Sequence, residues 1–274
     1  MDRFDKVLKD IKNIKIQGAE NVAKEGIKLL LLKNDSTSVK QIINVRPTEP
    51  ALKNAIRFVL GFKDKKAGVK LALKHFESTN SEIVKQGSKL IKNNSVVFTH
   101  CHSSTVIKIL KQAKKQGKKF EVYSSETRPL FQGRKTVLEL MKAEIKVTSF
   151  VDSAFLSVVK SVKNKNIIML VGTDAVLKNG AIINKIGTGM FAEICYDNKI
   201  PVYAALDSWK YAGHIKIEER NYKEIWRKAP KRIKIRDPAF EKVDVKFVKG
   251  IISEFGILKP KQFVKKAKKE LKGF

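Results

Sequence analysis

Val96-Val97-Phe98-Thr99-His100-Cys101-His102-Ser103-Ser104 is a run of β-branched and apolar residues that ends abruptly in a polar cluster carrying a thiol. A second stretch has the same design, with Ile167-Ile168-Met169-Leu170-Val171 running into Gly172-Thr173-Asp174. Short apolar runs bounded by turn residues read as strands buried on both faces, the mark of a parallel sheet. In an open parallel sheet the carboxyl ends of neighbouring strands face one crevice, where ligands bind. Cys101 and Asp174 are therefore expected to meet in one cleft as a thiol–carboxyl pair able to move protons.

Outward from these runs the chain alternates. Strands are expected over Val96–Thr99, Phe120–Ser124, Lys146–Phe150, Ile167–Val171 and Val202–Ala205. Helical segments fall between them, over Thr105–Gln116, Gly133–Ala143, Ser153–Lys163 and Thr188–Asn198. This alternation predicts an α/β fold with a Rossmann-like, mostly parallel sheet and helices on both faces. Upstream the texture is helical: Val22, Ala23, Ile27, Leu30 and Leu31 keep helical spacing from Gly18 until Asn34-Asp35-Ser36-Thr37 breaks it. The Arg46-Pro47-Thr48-Glu49-Pro50 stretch must be extended or turned, because each proline drives its predecessor out of the α region. Thr48 is expected to cap the next helix, with Pro50 in its first turn and Gly61 at its end. A long amphipathic helix runs from about Ala67 to Ile91, and a basic helix from Pro260 closes the chain. An N-terminal helical domain (residues 1–92) followed by the α/β domain (residues 93–274) is the expected division.

Composition narrows the classes of function. With 43% hydrophobic residues the chain can bury a full core, which argues against global disorder. No apolar stretch approaches the ~20 residues of a membrane span, and Met1-Asp2-Arg3-Phe4-Asp5 has no apolar signal region, so a cytoplasmic protein is expected. Cys101 and Cys195 make no disulfide framework, and Cys195, beside Ile194 on a helix, reads as core packing. The balance of 57 basic and 27 acidic residues gives +30, a field that favours anionic partners such as phosphorylated metabolites. The lysines are scattered, as at Lys111, Lys114, Lys115, Lys118 and Lys119, without interleaved aromatics. Nucleic-acid recognition is therefore not expected. Neither a Gly-rich dinucleotide fingerprint nor a nucleoside-triphosphate P-loop is present, so the expected site needs no cofactor.

Two readings stand beside each candidate residue. Cys101 precedes a helix that Ser103, Ser104 or Thr105 could cap, where a helix N-terminus would lower the thiol pKa and make it reactive. Alternatively it is an inert buried thiol. Asp174, after an apolar strand, is either a desolvated carboxyl with a raised pKa, suited to general acid work, or an Asx-turn residue. Asn184 and Lys185, just before Ile186-Gly187-Thr188 and a new helix, make a phosphate seat or a solvated loop. Glu126-Thr127-Arg128-Pro129 with Gln132-Gly133-Arg134 brings an arginine and an amide to the same crevice, or is an ordinary loop. No metal is expected on His100, Cys101 and His102, because adjacent strand residues alternate faces. Ser103 and Ser104 lack the GxSxG elbow of a hydrolase nucleophile.

In order along the chain, Ile16-Gln17-Gly18-Ala19, Arg46-Pro47-Thr48-Glu49-Pro50, Thr99-His100-Cys101, Glu126-Thr127-Arg128-Pro129 with Gln132-Gly133, Gly172-Thr173-Asp174, Asn184-Lys185-Ile186-Gly187-Thr188, Asp207-Ser208-Trp209-Lys210-Tyr211 and Gly250-Ile251-Ile252-Ser253-Glu254 resemble one family. That family unites the regulatory subunits of eukaryotic initiation factor 2B with methylthioribose-1-phosphate isomerase and archaeal ribose-1,5-bisphosphate isomerase. The initiation-factor subunits lack the cysteine and aspartate, which this chain keeps, and the Arg46–Pro50 segment looks most like the archaeal enzymes. The resemblance implies aldose–ketose isomerisation of ribose 1,5-bisphosphate, with Cys101 as proton acceptor and Asp174 as proton donor. It places Gln17, Gly18, Ala19, Arg46, Ser103, Ser104, Thr105, Arg128, Gln132, Asn184, Lys185 and Lys210 around the phosphorylated sugar. It further implies a homo-oligomer, dimer or hexamer. Gln17 departs from the arginine that the isomerases commonly carry there. Methylthioribose-1-phosphate isomerase and a non-catalytic initiation-factor-like subunit remain alternatives.

Overall fold

The computed structural model describes residues 2–163, 166–217 and 219–273. Five helices come first: α1 (Arg3–Lys12), α2 (Ala19–Leu29), α3 (Ser36–Asn44), α4 (Pro50–Leu60) and α5 (Lys65–Leu90). Aspartates start three of them. Asp2 accepts from the Asp5 amide, Asp64 from Lys66, and Asp35 from both Thr37 and Ser38, each satisfying amides that a helix start leaves bare. The break expected at Asn34–Thr37 is thus also the start of α3. Thr48 does not cap α4. Glu49 holds the cap position without a side-chain bond, because a turn closed by the Glu49 amide on the Arg46 carbonyl at 3.1 Å carries Thr48 past the helix end. The Thr48 hydroxyl donates instead to the Lys216 carbonyl at 3.4 Å. Val22, Ile27, Leu52, Ile56 and Phe76 close a core among these helices, and Trp209 from the far end of the chain joins it.

The strands are β1 (Ser95–Thr99), β2 (Phe120–Ser125), β3 (Lys146–Phe150), β4 (Asn166–Gly172), β5 (Ala175–Val176), β6 (Ile182–Lys185), β7 (Val202–Ala205), β8 (Phe240–Val243), β9 (Gly250–Ser253) and β10 (Gly256–Leu258). Interleaved with them are α6 (Ser104–Lys115), α7 (Gln132–Met141), α8 (Phe155–Ser161), α9 (Thr188–Asp197) and α10 (Pro260–Glu270). The main sheet has the order β10-β9-β7-β4-β1-β2-β3, parallel except for β10. This is the doubly wound order with one antiparallel strand added at an edge. Alternate residues feed opposite faces. Val96 and Phe98 pack with α8, α9 and α10, whereas Val97 packs with α6 and the second half of α5. Met169 and Val171 repeat the first pattern, and Leu170 the second.

The helix expected over Ser153–Lys163 is shorter: a 3-10 turn over Asp152–Ala154 leads into α8, and Val162 is already extended. A small sheet, β5-β6-β8, was not anticipated, nor were β9 and β10. Among the described residues, no helix is long and apolar enough to cross a membrane.

Candidate active site

From β1 the chain builds outward through β2 to β3, then returns to the other side of β1 with β4 and continues through β7 to β9. The direction of winding therefore reverses between β1 and β4, and that switch point opens a crevice at the strand carboxyl ends. Cys101 lies two residues past β1 and Asp174 two residues past β4. Both line a single cleft, together with Arg46, Asn184, Lys185 and Lys210.

The backbone at Cys101 is held from both sides. Its φ is +69°, a left-handed conformation that costs a non-glycine residue about 1–3 kcal/mol and persists only where neighbours impose it. The Cys101 amide donates to Thr127 Oγ1 at 2.9 Å, and its carbonyl accepts from Thr136 Oγ1 at 2.9 Å. Thr127 is itself fixed by Asp152, whose carboxylate accepts from the amides of Thr127 at 2.9 Å and Arg128 at 2.7 Å. Beside the thiol, His100 is buried, with Nε2 2.8 Å from the Ile186 carbonyl and Nδ1 2.6 Å from Ser125 Oγ. A carbonyl only accepts, so Nε2 carries the proton and Nδ1 accepts from the serine. Burial lowers the His100 pKa to about 4, so it is a neutral brace between β2 and the loop before α9.

Asp174 is anchored by its amide, which donates to the Ile183 carbonyl at 2.9 Å. Both Cys101 and Asp174 are partly exposed to the cleft, and the protein packed around them withdraws much of their water. Burial raises the Asp174 pKa, against the pull of Lys210, Arg46 and Lys185. This is the environment expected for a carboxyl that keeps its proton. The thiol departs from expectation. Instead of a lowered pKa at a helix N-terminus, burial pushes Cys101 up to about 12, opposed by the His102 amide and Lys185, and ionised Asp174 would add to the rise. Ser103 caps α6 itself, its Oγ accepting the Val106 amide at 3.3 Å.

The walls suit an anion. Three helices of ten residues or more open on the cleft: α2 at Gly18 and Ala19, α6 at Ser103, Ser104 and Thr105, and α7 at Gln132. Each turns the positive end of its dipole towards the cleft. Lys210 is buried and donates from Nζ to the Thr173 carbonyl at 2.8 Å, beside Asp174. Arg46, also buried, pairs with Glu49 at 3.3 Å. Asn184 donates from Nδ2 to Thr188 Oγ1 at 3.0 Å, which in turn donates to the Lys185 carbonyl at 2.6 Å. Gln17 lines the rim and donates to the Ile14 carbonyl at 2.6 Å.

Arg128 is the exception among the expected site residues. It is exposed, with its guanidinium 4.8 Å from the ring centre of Phe131, because its backbone clasps Asp152 and leaves the side chain at the surface. Conversely, Lys135, Glu20, Asn21, Arg220 and Glu224 line the cleft and were not anticipated. Lys135 was within reach, since it follows Gln132 by three residues and so shares its helix face. Arg220, which grips Glu224 Oε1 through Nη2 at 3.0 Å, lies in irregular chain where no periodicity signals it. Among the described residues, His100, Cys101 and His102 do not converge as a metal-ligand set; His102 Nδ1 lies 3.1 Å from Thr136 Oγ1.

Fold and site together define a doubly wound α/β protein with a desolvated thiol–carboxyl pair at its switch point, ringed by cations and helix N-termini. Residues 31–260 match the Initiation factor 2 subunit family, and the chain belongs to that family. It is 31% identical to the ribose 1,5-bisphosphate isomerase of Archaeoglobus fulgidus, over 95% of this chain and 91% of that protein. It is 36% identical to the methylthioribose-1-phosphate isomerase of Fervidobacterium nodosum, over 70% of this chain and 60% of that protein. Among solved structures, the translation initiation factor eIF-2B of Pyrococcus horikoshii superposes with a TM-score of 0.85 at 27% identity, covering 96% of this chain and 99% of the other.

Proposed function

We propose that the protein is a sugar-phosphate aldose–ketose isomerase that converts ribose 1,5-bisphosphate to ribulose 1,5-bisphosphate. The observation that carries this reading is the pairing of Cys101 and Asp174 across a switch-point cleft lined by Arg46, Lys185 and Lys210. Similarity to an archaeal ribose 1,5-bisphosphate isomerase over nearly the whole chain supports it. A sugar held as its 1-phosphate must first open its ring. Asp174 donates its proton to the ring oxygen as the bond from C1 breaks, leaving positive charge on C1. The Cys101 thiolate removes the C2 proton, and that electron pair forms the C1–C2 double bond of an enol. The enol hydroxyl returns its proton to Asp174 while C1 takes the proton back from Cys101, which yields the ketose and restores both groups. Arg46, Lys185, Lys210 and the helix N-termini offset the phosphate charge.

Cys101→Ser and Asp174→Asn are each expected to abolish turnover of ribose 1,5-bisphosphate with the fold intact by circular dichroism. Activity retained in either variant would overturn the assignment. A parallel assay on methylthioribose 1-phosphate separates the two isomerase reactions. A second reading, a non-catalytic subunit that binds initiation factor 2, is favoured by the close superposition on an eIF-2B structure and by an uncharged Gln17 at the rim. Recovery of initiation factor 2 in a pull-down, with no turnover, would select it. We also infer a homo-oligomer, supported by exposed Leu138, Met141, Val151 and Leu156.

A further inference from the structure

Away from the cleft, three potential ligands converge from distant parts of the chain. His75 comes from the middle of α5, Glu254 from the turn between β9 and β10, and Glu270 from the last residue of α10. One ligand atom from each lies within 4.8 Å of the others. We propose that His75, Glu254 and Glu270 bind one divalent transition-metal ion, with Zn²⁺ the best chemical match, as a clasp joining the helical region, the sheet edge and the C-terminal helix.

The polar atoms around this point are underused. His75 Nε2 and Glu254 Oε2 are shielded from solvent and meet no hydrogen-bond partner among the described residues. Ser208 is fully buried, and its hydroxyl faces the carboxyls of Glu254 and Glu270. Buried polar groups are ordinarily satisfied, so two bare ligand atoms at one point call for an occupant.

Geometry and rigidity agree. Ligands at ~2.0–2.2 Å from a tetrahedral Zn²⁺ stand roughly 3.3–3.6 Å apart, a spacing that side-chain rotation reaches from the observed one. One imidazole and two carboxylates form a three-residue set of the kind that leaves a fourth position for water. The His75 ring is stacked on Trp209 with centroids 3.9 Å apart and planes at 12°, and Glu254 Oε1 accepts the Ser208 amide at 2.9 Å. Ser208 and Trp209 open the 3-10 turn that ends at Lys210, which lines the cleft. The clasp therefore stiffens the turn that presents Lys210.

The test uses the whole chain, stripped of metal with a chelator and titrated with Co²⁺ and with Zn²⁺. Saturation at one equivalent of Co²⁺, with the visible absorption of a low-coordinate site, is expected. Zn²⁺ at a hundred times its Kd is expected to raise the thermal midpoint by roughly 5–10 °C. His75→Gln and the double variant Glu254→Gln with Glu270→Gln are expected to lose both responses, and the double variant keeps or raises the metal-free midpoint. No stoichiometric binding by the unmutated chain would overturn the proposal. So would equal binding by the folded variants, which would mark surface adsorption only. The unmutated titration decides by itself if a variant fails to fold.

Discussion

In the ligand-free protein, Cys101 is expected to alkylate slowly, with a rate that keeps climbing as pH rises. Burial moves its pKa from 9.0 to about 12, a rise of about 3 that disfavours the thiolate by about 4 kcal/mol. At pH 8 the ionised fraction then falls about a thousandfold below that of an unperturbed thiol. The more basic thiolate is intrinsically more nucleophilic, with a Brønsted slope of ~0.4–0.5, which recovers a factor of roughly 15–30. The net slowing is roughly 30–60-fold. The assay is iodoacetamide modification followed by mass spectrometry, in a Cys195→Ala background. That substitution removes the second thiol, which is fully buried against the Met169 sulfur at 3.6 Å. A slow reaction alone would also follow from poor access, so the slope decides. The logarithm of the rate should rise steadily between about pH 7 and 10, without a plateau. A plateau beginning below pH 8 would show a stable thiolate at neutrality and refute the burial argument.

Related outcomes follow from the same cleft. Asp174 keeps its proton near neutral pH, so Asp174→Asn should leave Cys101 alkylation there nearly unchanged; a quickened rate would show that Asp174 is ionised beside the thiol. Only the thiolate accepts the C2 proton, so kcat for ribose 1,5-bisphosphate should rise from neutral into alkaline pH, as initial rates would show. His100 has its pKa lowered from 6.5 to about 4, so the unfolded chain binds the proton first as pH falls. The His100 contribution to stability is thus full above about pH 6.5 and is lost towards pH 4, by about 3 kcal/mol; urea unfolding of His100→Gln should lack that slope. Gly133→Ala would set a Cβ 1.7 Å from the Ser125 carbonyl oxygen and within 2.9 Å of the Glu126 backbone. Since backbone cannot swing aside, the start of α7 must withdraw, at a cost of about 3 kcal/mol or more by thermal unfolding.

How far the sequence carries differs by element. The five parallel strands from β1 to β7 were legible because each is a compact apolar run closed by turn residues, and Cys101 and Asp174 were legible because they end two such runs. Strand β9 escaped because Gly250-Ile251-Ile252-Ser253 is too brief to separate from loop, and β5 has only two residues. Thr48 failed as a cap for a local reason, the turn that closes Glu49 onto Arg46. Arg128 failed for a tertiary one, since Asp152 engages its backbone across 24 residues. The thiol failed for an energetic one. A helix N-terminus can be anticipated from residue types, but the loss of water around a side chain depends on how every wall of the cleft closes.

That last difference bears on how this site works. Desolvation acts on both members of the pair in the same direction, holding the proton on Asp174 and also on Cys101. A donor gains from this and an acceptor loses, so the cleft by itself favours only half of the reaction. Opposing it are the His102 amide at the thiol and the fixed cations of the cleft. Lys185 lowers the pKa of both groups, whereas Lys210 and Arg46 act on Asp174. Among the described residues, Lys185 acts on both members of the pair, and it sits on β6, a strand of the small sheet and not of the main one. The second sheet consequently does more than cover the strand ends: it supplies a positive charge that favours the thiolate. Replacing Lys185 with Met should therefore deepen the alkaline shift of Cys101 alkylation, and any binding loss for the phosphates should appear separately in KM. If the pH dependence of alkylation in Lys185→Met matched that of the unmutated chain, the small sheet would be a passive wall and the thiol would have to be activated by the bound sugar phosphate itself.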